Sequence, residues 1–376
     1  MKSSTSTPNQ GTDSVKKLES LLQAEAKKKN SRRILLGVQS RDKSKLDFRQ
    51  CAGSDTSIST KDPFFIASQT KLMTSTVIFQ LVDEGKMSLD DCMAQYLPAE
   101  MIDKIHVYKG KDYSSEIKIH ELLHQTSGIP DYFLQKDKTT GACVLDSFHA
   151  NEDHEWTRMD YLNRAKQITP VFEPSAKGGK RSLYSDTNWQ LLGEIIERVT
   201  EKSIAENFQE RIFQPLGLSA DTYVFDINKL AKDRTPPMNF FYKEKELDNV
   251  GKIMSSFQPD GAVVSTMDDM LVFLRAYFDG KLFDNKKHQQ HEENQTQWNT
   301  VFVPPLQYGY GLMRFKLPKW MTLYCFDIPP IYGHSGANAS FSFYSPDKEV
   351  FMVGTFNQID QESRPFEFML KVLGCV

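Results

Sequence analysis

The sequence predicts an α+β fold with two lobes. We expect an α/β sandwich lobe whose antiparallel sheet is built from both chain ends, with an all-helical lobe inserted into it. Short apolar runs bounded by charged or turn residues lie near both termini, at 34–38 and 339–356, as expected for strands. Between them, apolar residues recur mostly at helical spacing. A chain of 376 residues is also long enough to divide its core between two lobes.

The first predicted elements are a helix and a hairpin. In the N-terminal arm, residues 1–30, apolar side chains recur at helical spacing within a lysine-rich segment: Val15, Leu18, Leu21 and Leu22. The apolar run at 34–38 is bounded by charged residues, and 46–48 begins a second extended piece. We therefore expect a helix that docks on the body, followed by two antiparallel strands.

Helices are expected to dominate the middle of the chain. From 68 to 84 the apolar residues form a stripe, and Gly85 follows, where a left-handed helix cap is expected. The segments 189–199 and 267–278 show the same helical pattern. The middle of the chain is therefore interpreted as mostly α-helical.

Near the C-terminus the pattern predicts a second hairpin. The β-like runs 339–344 and 350–356 flank the turn residues 345–348. These elements divide the chain into three regions, with the active site expected where the two lobes meet. The regions are the arm at 1–30, the sheet lobe from 31–66 and 261–376, and the helical lobe from 67–260.

The balance of charge limits the classes of partner. Forty-six Lys and Arg against 49 Asp and Glu give a formal charge of −3, which disfavours nucleic acid and membrane surfaces as partners. The N-terminus lacks the apolar run of a secretory signal, and no stretch approaches the roughly 18 apolar residues of a membrane-spanning helix. We expect a cytoplasmic protein, with non-classical export and the oligomeric state left open.

The cysteine pattern disfavours a structural metal site, and we expect no cofactor. Five Cys, an odd number, lie far apart without the C-x-x-C spacing of zinc sites, which suggests free thiols in a reducing compartment. Two polar segments, 143–156 and 288–293, contain His and acidic residues, but solvated loops often have this composition. The first segment could instead form a lid over a cleft.

The first candidate for chemistry is the pair Ser68 and Lys71. A Ser three residues before a Lys on one helical face brings a nucleophile within reach of an amine, although the same spacing occurs four more times in this chain. Ser68 opens a long apolar helix, so burial would favour the neutral, basic form of Lys71. The helix start would also offer N–H groups to a developing oxyanion. The ordinary alternative is that Ser68 caps the helix and Lys71 reaches solvent.

Two further segments hold candidate residues. Tyr184, in the sequence Tyr-Ser-Asp-Thr-Asn, stands just before an amphipathic helix, so its hydroxyl can project from the start of that helix. The segment 332–337, Tyr-Gly-His-Ser-Gly-Ala, places two glycines before a predicted strand, where they allow close backbone approach. Taken alone, Tyr184 also fits a core aromatic beside a helix cap, and 332–337 also fits a tight turn.

In this order the three segments resemble the serine β-lactamase and penicillin-binding protein family, in particular its class C-like branch of esterases, D-aminopeptidases and DD-carboxypeptidases. The resemblance extends from about residue 63 to 358 and includes framework segments. Residues 122–129 look like the L-L-x-H-T-S-G-[LI] segment, 260–269 like G-G-x-x-S-T-x-x-D-[LM], and 308–312 like Y-G-x-G. The resemblance implies the fold of that family.

Carried over by position, the resemblance implies roles for eight residues. Ser68 would be the acylated nucleophile, and Lys71 the amine that helps to take its proton. Tyr184 would shuttle the proton to the leaving group and activate water for deacylation. The backbone N–H groups of Ser68 and Ala337 would form the oxyanion hole, and the mechanism requires no metal. The other positions implied at the substrate-binding edge are Asp186, His334, Ser335 and Gly336.

Departures from the family pattern bear on the substrate. His334 stands where many members have Lys, so a permanent cation is replaced by a side chain that is largely neutral near pH 7. Asp186 stands where many have Asn. Its charge would weaken attraction for a carboxylate and could hold Lys71 as a cation, which would shift more of the base role onto Tyr184. Gln125 replaces a usual His at a position expected to be structural.

The sequence thus predicts a serine hydrolase that acts through an acyl-enzyme on small ester, amide or peptide substrates. Neutral esters and amides are expected to be better substrates than β-lactams and D-Ala peptides, which carry a carboxylate. The open alternatives are an acyltransferase using the same acyl-enzyme, a true β-lactamase or DD-carboxypeptidase, and a catalytically silent scaffold. The presence of Ser68, Lys71 and Tyr184 weighs against a silent scaffold.

Overall fold

The computed structural model of the chain describes five ranges of residues: 10–174, 181–231, 234–284, 306–317 and 328–376. Cys325 and the His and Glu residues at 288–293, which the sequence left as a weak metal-binding candidate, lie outside these ranges. The described ranges include all eight candidate site residues.

Within the described ranges, seven strands form the main sheet and eight strands of two or three residues lie elsewhere. In chain order the strands are β1 (Ile34–Ser40), β2 (Asp47–Ala52), β3 (Phe64–Phe65), β4 (Val107–Tyr108), β5 (Lys111–Asp112), β6 (Tyr223–Val224), β7 (Phe240–Tyr242), β8 (Lys245–Leu247), β9 (Val263–Ser265), β10 (Leu306–Tyr308), β11 (Met313–Phe315), β12 (Ile331–Ser335), β13 (Ser340–Ser345), β14 (Val350–Thr355) and β15 (Gln358–Ile359).

The α-helices of the described ranges lie mostly between β2 and β10. They are α1 (Gln10–Ala26), α2 (Thr70–Asp83), α3 (Ala99–Ile102), α4 (Ile119–Leu123), α5 (Val144–Ala150), α6 (Arg158–Lys166), α7 (Asp186–Thr200), α8 (Ile204–Phe208), α9 (Gln214–Leu216), α10 (Gly251–Ser255), α11 (Met267–Phe278) and α12 (Arg364–Cys375). The predicted helical segments at 68–84, 189–199 and 267–278 correspond to α2, α7 and α11.

The main sheet joins the two ends of the chain, as predicted. Its strand order is β10-β11-β12-β13-β14-β1-β2, and every neighbouring pair is antiparallel. β1 lies between β14 and β2, with Gly37 opposite both Val353 and Arg49. All seven residues of β1 are buried, as its nearly continuous apolar run requires. Both predicted hairpins, β1 with β2 and β13 with β14, are present.

Three helices pack against this sheet, and α12 does so through Phe366, whose ring contacts Phe315 of β11 and Phe343 of β13. α1 contacts β2 and α12, whereas α11 contacts β1, β13 and β14. An ion pair joins the first helix to the last, because Arg364 Nε lies 2.9 Å from Glu25 Oε1. Burial would raise the pKa of Glu25, but hydrogen bonds to Lys28 and Arg364 hold that pKa below its ordinary value. The predicted N-terminal helix is therefore tied to the other end of the chain.

The inserted segment is organised around α2, which is apolar on most sides and almost entirely buried. α2 packs against α7 and α8, and α7 also contacts α4 and α6. Short strands accompany these helices. Among them, β3 pairs with β9 so that Phe64 lies opposite Ser265. This pairing brings the residues just before Ser68 next to those that follow Asp260.

Gly354 in β14 is expected to tolerate no side chain. An added Cβ would clash with the Leu35 carbonyl oxygen and lie 2.7 Å from the Phe341 ring. We predict that Gly354→Ala lowers the free energy of unfolding by about 1–3 kcal/mol, measured by urea denaturation. The matched control is Gly374→Ala in α12, where nothing lies within 4 Å of the added methyl group. Equal stabilities of Gly354→Ala and wild type would contradict this close packing.

Candidate active site

Ser68 lies in a 3-10 turn, Ala67–Gln69, that leads directly into α2. One turn later, Lys71 Nζ donates a hydrogen bond of 2.9 Å to Ser68 Oγ. Lys71 is only 1% exposed. The alternative in which Lys71 reaches solvent is therefore wrong, and the hydroxyl and the amine are in direct contact.

The loop between β12 and β13, together with the first residue of β13, holds the turn that carries the serine. Asn338 Nδ2 donates to the Phe65 carbonyl oxygen at 2.7 Å, and Ser340 Oγ donates to the Ile66 carbonyl oxygen at 3.0 Å. The Ile66 carbonyl oxygen also accepts a hydrogen bond of 3.3 Å from the Gln69 N–H, so the side chains from the sheet add to the bonding of the turn itself. The C-terminal sheet therefore fixes the position of the candidate nucleophile.

Close backbone packing holds the same turn. Ala67 has a φ of +49°, in the left-handed region that costs a non-glycine residue roughly 1–2 kcal/mol. Gly336 passes beside it so closely that an added Cβ would lie 2.8 Å from Ala67 Cβ. A glycine is required at 336 because any side chain would displace the turn that carries Ser68. This is the close backbone approach that the glycines of 332–337 indicated.

Three oxygen atoms hold the Lys71 ammonium. Besides Ser68 Oγ, Nζ donates to the Asp260 carbonyl oxygen at 3.0 Å and lies 2.8 Å from Asp186 Oδ1. Burial lowers the pKa of Lys71, but the negative charge of Asp186, joined by that of Asp260 when its carboxyl is ionised, outweighs burial and raises that pKa above its ordinary value. The expectation that burial makes Lys71 neutral is therefore wrong. The geometry agrees with the other expectation, that Asp186 holds Lys71 as a cation.

Tyr184, two residues before α7, is buried beside this ion pair. Its ring centroid lies 5.2 Å from Lys71 Nζ, and its hydroxyl is hydrogen bonded to Ser68. Burial and the charge of Asp186 raise the pKa of Tyr184 well above its ordinary value, against a smaller opposing effect of the bond to Ser68. The raised pKa disfavours the expected shift of the base role onto Tyr184, because this hydroxyl loses its proton less readily than that of a free tyrosine.

Gln125 anchors the segment that carries Tyr184. Its Oε1 accepts hydrogen bonds from the Ser185 N–H at 3.0 Å and from Asn188 Nδ2 at 2.6 Å. Its carbonyl oxygen accepts a hydrogen bond from the Leu183 N–H at 2.9 Å. Gln125 thus has the structural role expected of it, and the residue that it positions is Tyr184.

His334 is fully buried on β12. The Tyr308 hydroxyl lies 3.0 Å from its Nε2, and the Ser335 carbonyl oxygen lies 2.7 Å from its Nδ1. Burial and the nearby charge of Lys71 lower the pKa of His334 to about 3. His334 is therefore neutral at pH 7, as the sequence predicted, and supplies no cation to the site.

A cleft opens beside Ser68. Four of the predicted site residues line it: Ser68, Lys71, Asp186 and Ala337. The other four pack around these residues without lining the cleft: Tyr184, His334, Ser335 and Gly336. The segment 143–156, which the sequence proposed as a lid, contributes Leu145 and Phe148 of α5 to the cleft wall.

Two buried carboxyl groups beside the Lys71–Asp186 pair were missed by the sequence reasoning: Asp260 is close to Lys71, and Asp131 is bonded to the backbone of Asp186. Asp260 Oδ2 accepts a hydrogen bond of 2.9 Å from the Tyr132 hydroxyl, and Asp131 Oδ1 accepts one of 2.8 Å from the Asp186 N–H. Burial is the main cause that raises their pKa values, to about 8 for Asp260 and about 7 for Asp131. The available signal was the Asp at 260, where the resembling family segment has a Gly.

Residues 42–373 match the protein-family model described as Beta-lactamase. The chain belongs to the β-lactamase family. The match covers all eight candidate site residues and most of the chain. The resemblance stated from the sequence motifs, and the fold that it implied, are confirmed.

Several known proteins are similar to this β-lactamase family member. A protein of Salmonella typhi named as a D-alanyl-D-alanine carboxypeptidase is 23% identical over 323 residues, which cover 78% of this chain and 69% of that protein. The D-amino acid amidase of Ochrobactrum anthropi SV3 has a TM-score of 0.74 and 21% identity, over 96% of this chain and 98% of its own. EstCE1, a hydrolase with promiscuous acyltransferase activity, has a TM-score of 0.68 and 16% identity, over 97% of this chain and 99% of its own.

The predicted class of enzyme, a serine hydrolase related to β-lactamases, is confirmed at the level of family and fold. The solved structures contribute the fold, since their identities to this chain are low. In the described parts of the chain, no helix is both long enough and apolar enough to cross a membrane.

The buried carboxyl of Asp260 predicts a pH dependence of stability for this β-lactamase family member. Its folded pKa of about 8 lies above the ordinary value, so the folded state keeps a proton that the unfolded chain releases near pH 4. Stability is therefore lost as pH rises from about 4 to 8, by up to about 1.4 kcal/mol per pH unit. We predict a smaller loss between pH 5 and pH 8 for Asp260→Asn than for wild type.

Urea denaturation at the two pH values measures this difference. The control is Asp347→Asn in an exposed turn, which should show the wild-type loss. An equal loss in Asp260→Asn and wild type would mean that Asp260 ionises normally in the folded protein.

Proposed function

We propose that this chain is a serine hydrolase that forms an acyl-enzyme on Ser68 and acts on small, neutral esters or amides. The observation that carries the proposal is the buried 2.9 Å contact between Ser68 Oγ and Lys71 Nζ at the wall of a cleft. In this proposal the site lies where the sheet lobe, 31–66 and 261–376, meets the helical lobe, 67–260. The proposed steps use no metal and no cofactor.

Lys71 acts in this scheme as a proton relay. Its Nζ lies between Ser68 Oγ at 2.9 Å and Asp186 Oδ1 at 2.8 Å. One ammonium proton passes to the Asp186 carboxylate while Nζ accepts the hydroxyl proton of Ser68, so Lys71 ends the step still charged. Asp186 then holds the transferred proton, and the serine oxygen attacks the substrate carbonyl carbon.

Tyr184 acts as a neutral proton shuttle. Its hydroxyl is hydrogen bonded to Ser68, and its raised pKa keeps the proton on the oxygen in the resting state. We propose that it donates this proton to the leaving group and recovers one through Lys71 from the acid form of Asp186. The same relay, with water in place of the serine hydroxyl, then hydrolyses the acyl-enzyme.

The oxyanion formed on the substrate needs hydrogen-bond donors that are already in place. We propose the backbone N–H groups of Ser68 and Ala337, because both residues line the cleft. Removing one such donor typically costs about 10²–10³ in rate. Ala337 follows Ser335, the last residue of β12, and Gly336, which packs against Ala67 beside the serine.

Electrostatics supports a preference for neutral substrates. His334 is neutral, since its pKa is about 3, and Lys71 is already paired with Asp186. A substrate carboxylate would lose water without gaining a cation from these groups. We therefore propose hydrolysis of neutral esters or amides in preference to β-lactams or to the D-Ala peptides suggested by the name of the Salmonella typhi relative.

We also propose a reducing, cytoplasmic location. The described ranges contain four cysteines, and all four are free thiols, as is usual in cytosolic proteins: Cys51, Cys92, Cys143 and Cys375. The formal charge of −3 continues to disfavour nucleic acid and membrane surfaces as partners.

Ser68 should be the residue that reacts with an alkyl fluorophosphonate. We predict that mass spectrometry finds the adduct on the wild-type peptide that contains Ser68, and that Ser68→Ala is not labelled. The control is Ser115→Ala, because Ser115 is exposed and also stands three residues before a lysine. Labelling of Ser68→Ala, or an unlabelled wild type, would contradict the proposal and favour a silent scaffold.

The unlabelled wild-type protein also reports on substrate class. It is assayed with p-nitrophenyl esters, D-amino-acid amides and a chromogenic cephalosporin, with Ser68→Ala as the blank. We expect kcat/KM for the best neutral substrate to exceed that for the cephalosporin by about tenfold or more, because a buried carboxylate lacks a charged donor. Comparable values for the two classes would overturn the preference.

Asp186 should set the pH dependence of Ser68 acylation. We predict that Asp186→Asn moves the rising limb of fluorophosphonate labelling to higher pH, because without the carboxylate the relay is lost and the serine proton can be accepted only after Lys71 itself has lost a proton. At high pH the variant should remain slower than wild type, because the relay has lost its proton acceptor. Labelling rates between pH 5 and pH 10 test both points. Asp347→Asn should keep the wild-type profile, and an unshifted limb in Asp186→Asn would refute control of Lys71 by Asp186.

A further inference from the structure

Aromatic rings form much of the wall of the cleft beside Ser68. Four phenylalanines line it: Phe133, Phe148, Phe240 and Phe257. Phe148 belongs to α5, Phe240 belongs to β7, and Phe257 follows α10. Separate segments of the inserted region therefore converge on one apolar wall. The mechanism proposed above uses none of these rings.

Three of the rings form a corner. The Phe148 and Phe257 rings are nearly parallel, with an interplanar angle of 18° and centroids 6.0 Å apart. The Phe133 ring is nearly perpendicular to both. Its interplanar angle with Phe257 is 89° and the centroids are 5.6 Å apart, and with Phe148 the angle is 71° and the centroids are 6.1 Å apart. Aromatic groups attract one another in offset-stacked and edge-to-face arrangements. The corner presents the rings at both orientations to a group that enters the cleft.

Further rings hold this wall in place. The Tyr161 ring is nearly parallel to that of Phe257, with an interplanar angle of 12° and centroids 5.8 Å apart. It is also stacked on the Tyr132 ring, with centroids 4.0 Å apart. Tyr132 and Tyr161 are fully buried, and the Tyr132 hydroxyl donates to Asp260 Oδ2 at 2.9 Å. The wall is therefore formed before a substrate arrives, and binding does not have to order it.

The charges along the cleft are already balanced. Among the described residues that line it, Lys71 is the one cation, and it is paired with Asp186 at 2.8 Å. The carboxyl of Asp260 has a pKa of about 8 and is mostly protonated at pH 7. A charged group placed against the aromatic wall would lose its water without gaining a partner.

We infer that the acyl group of the substrate is an uncharged arylalkanoyl group, whose ring binds in the corner formed by Phe133, Phe148 and Phe257. The inference rests on the proposed function. Ser68 Oγ bonds to the carbonyl carbon, the bond from that carbon to the alcohol oxygen breaks, and the alcohol leaves with a proton. Water then takes the place of the serine oxygen, which releases the arylalkanoic acid and restores the Ser68 hydroxyl.

A pair of esters with the same carbon skeleton tests the inference. Methyl 3-phenylpropanoate has a flat ring with a π-system, whereas methyl 3-cyclohexylpropanoate has a saturated, thicker ring, and a pH-stat measures acid release from both. We expect kcat/KM to be about threefold to tenfold higher for the phenyl ester. Equal values for the two esters would overturn the inference.

A second pair locates the ring on the acyl side of the substrate. In 2-phenylethyl acetate and 2-cyclohexylethyl acetate the ring belongs to the leaving alcohol. We expect their kcat/KM values to be nearly equal. A preference for the phenyl compound in this pair alone would place the ring with the leaving group and would overturn the assignment to the acyl group.

Variants connect the preference to the corner. Phe148→Leu and Phe133→Leu should each bring the phenyl-to-cyclohexyl ratio of the methyl esters close to one. Phe366→Leu on α12, where the ring packs against Phe315 and Phe343, is the control and should keep the wild-type ratio. Circular dichroism melts confirm that each variant is folded. Two corner variants are made so that the test can still be done if one of them does not fold. A wild-type ratio in both corner variants would refute the subsite.

Fluorophosphonate labelling separates this inference from the proposed function. If Ser68 is not labelled, the proposed function fails and the subsite fails with it. If Ser68 is labelled and the methyl ester ratio equals one, the hydrolase proposal stands and the aromatic acyl subsite alone is wrong.

Discussion

The buried ammonium of Lys71 is the interaction on which the rest of the site depends. Moving a cation out of water costs several kcal/mol unless charges and hydrogen bonds replace its hydration. Here the replacement comes from Ser68 Oγ, Asp186 Oδ1 and the Asp260 carbonyl oxygen, at 2.8 to 3.0 Å. These three groups belong to segments far apart in the chain. The fold must therefore bring the start of α2, the start of α7 and the loop before β9 to one point.

The packing around α2 meets this requirement. One turn after the lysine, the Thr74 hydroxyl donates to the Pro259 carbonyl oxygen and ties the loop before β9 to α2. Gly193 lets α7 approach the same loop, because an added Cβ would lie 2.7 Å from Pro259 Cβ. The pairing of β3 with β9 holds the residues just before Ser68 next to the segment that follows Asp260. A glycine, a proline and a hydroxyl that carry no chemistry thus determine where the ion pair forms.

Sequence patterns could predict what is local and not what depends on long-range packing. The contact of Ser68 with Lys71 follows from helical spacing, and the hairpins follow from apolar runs and turn residues. The charge state of Lys71 does not follow from its neighbours in sequence. Burial alone would lower the pKa of Lys71, whereas Asp186 Oδ1, 2.8 Å from Nζ, raises it. The aromatic corner was missed for the same reason, since its rings come from separate segments and no spacing rule connects them.

The protonation states at rest constrain how such a site can catalyse. Asp186 keeps Lys71 charged and also raises the pKa of Tyr184, so both side chains keep their protons at rest and neither is a free base. Asp260, with a pKa of about 8, adds little negative charge at pH 7. The resting cleft then holds one compensated ion pair among neutral groups. A neutral substrate enters without disturbing this balance, and the charge that needs stabilisation first appears on the oxyanion of the transition state, where fixed backbone donors act most strongly.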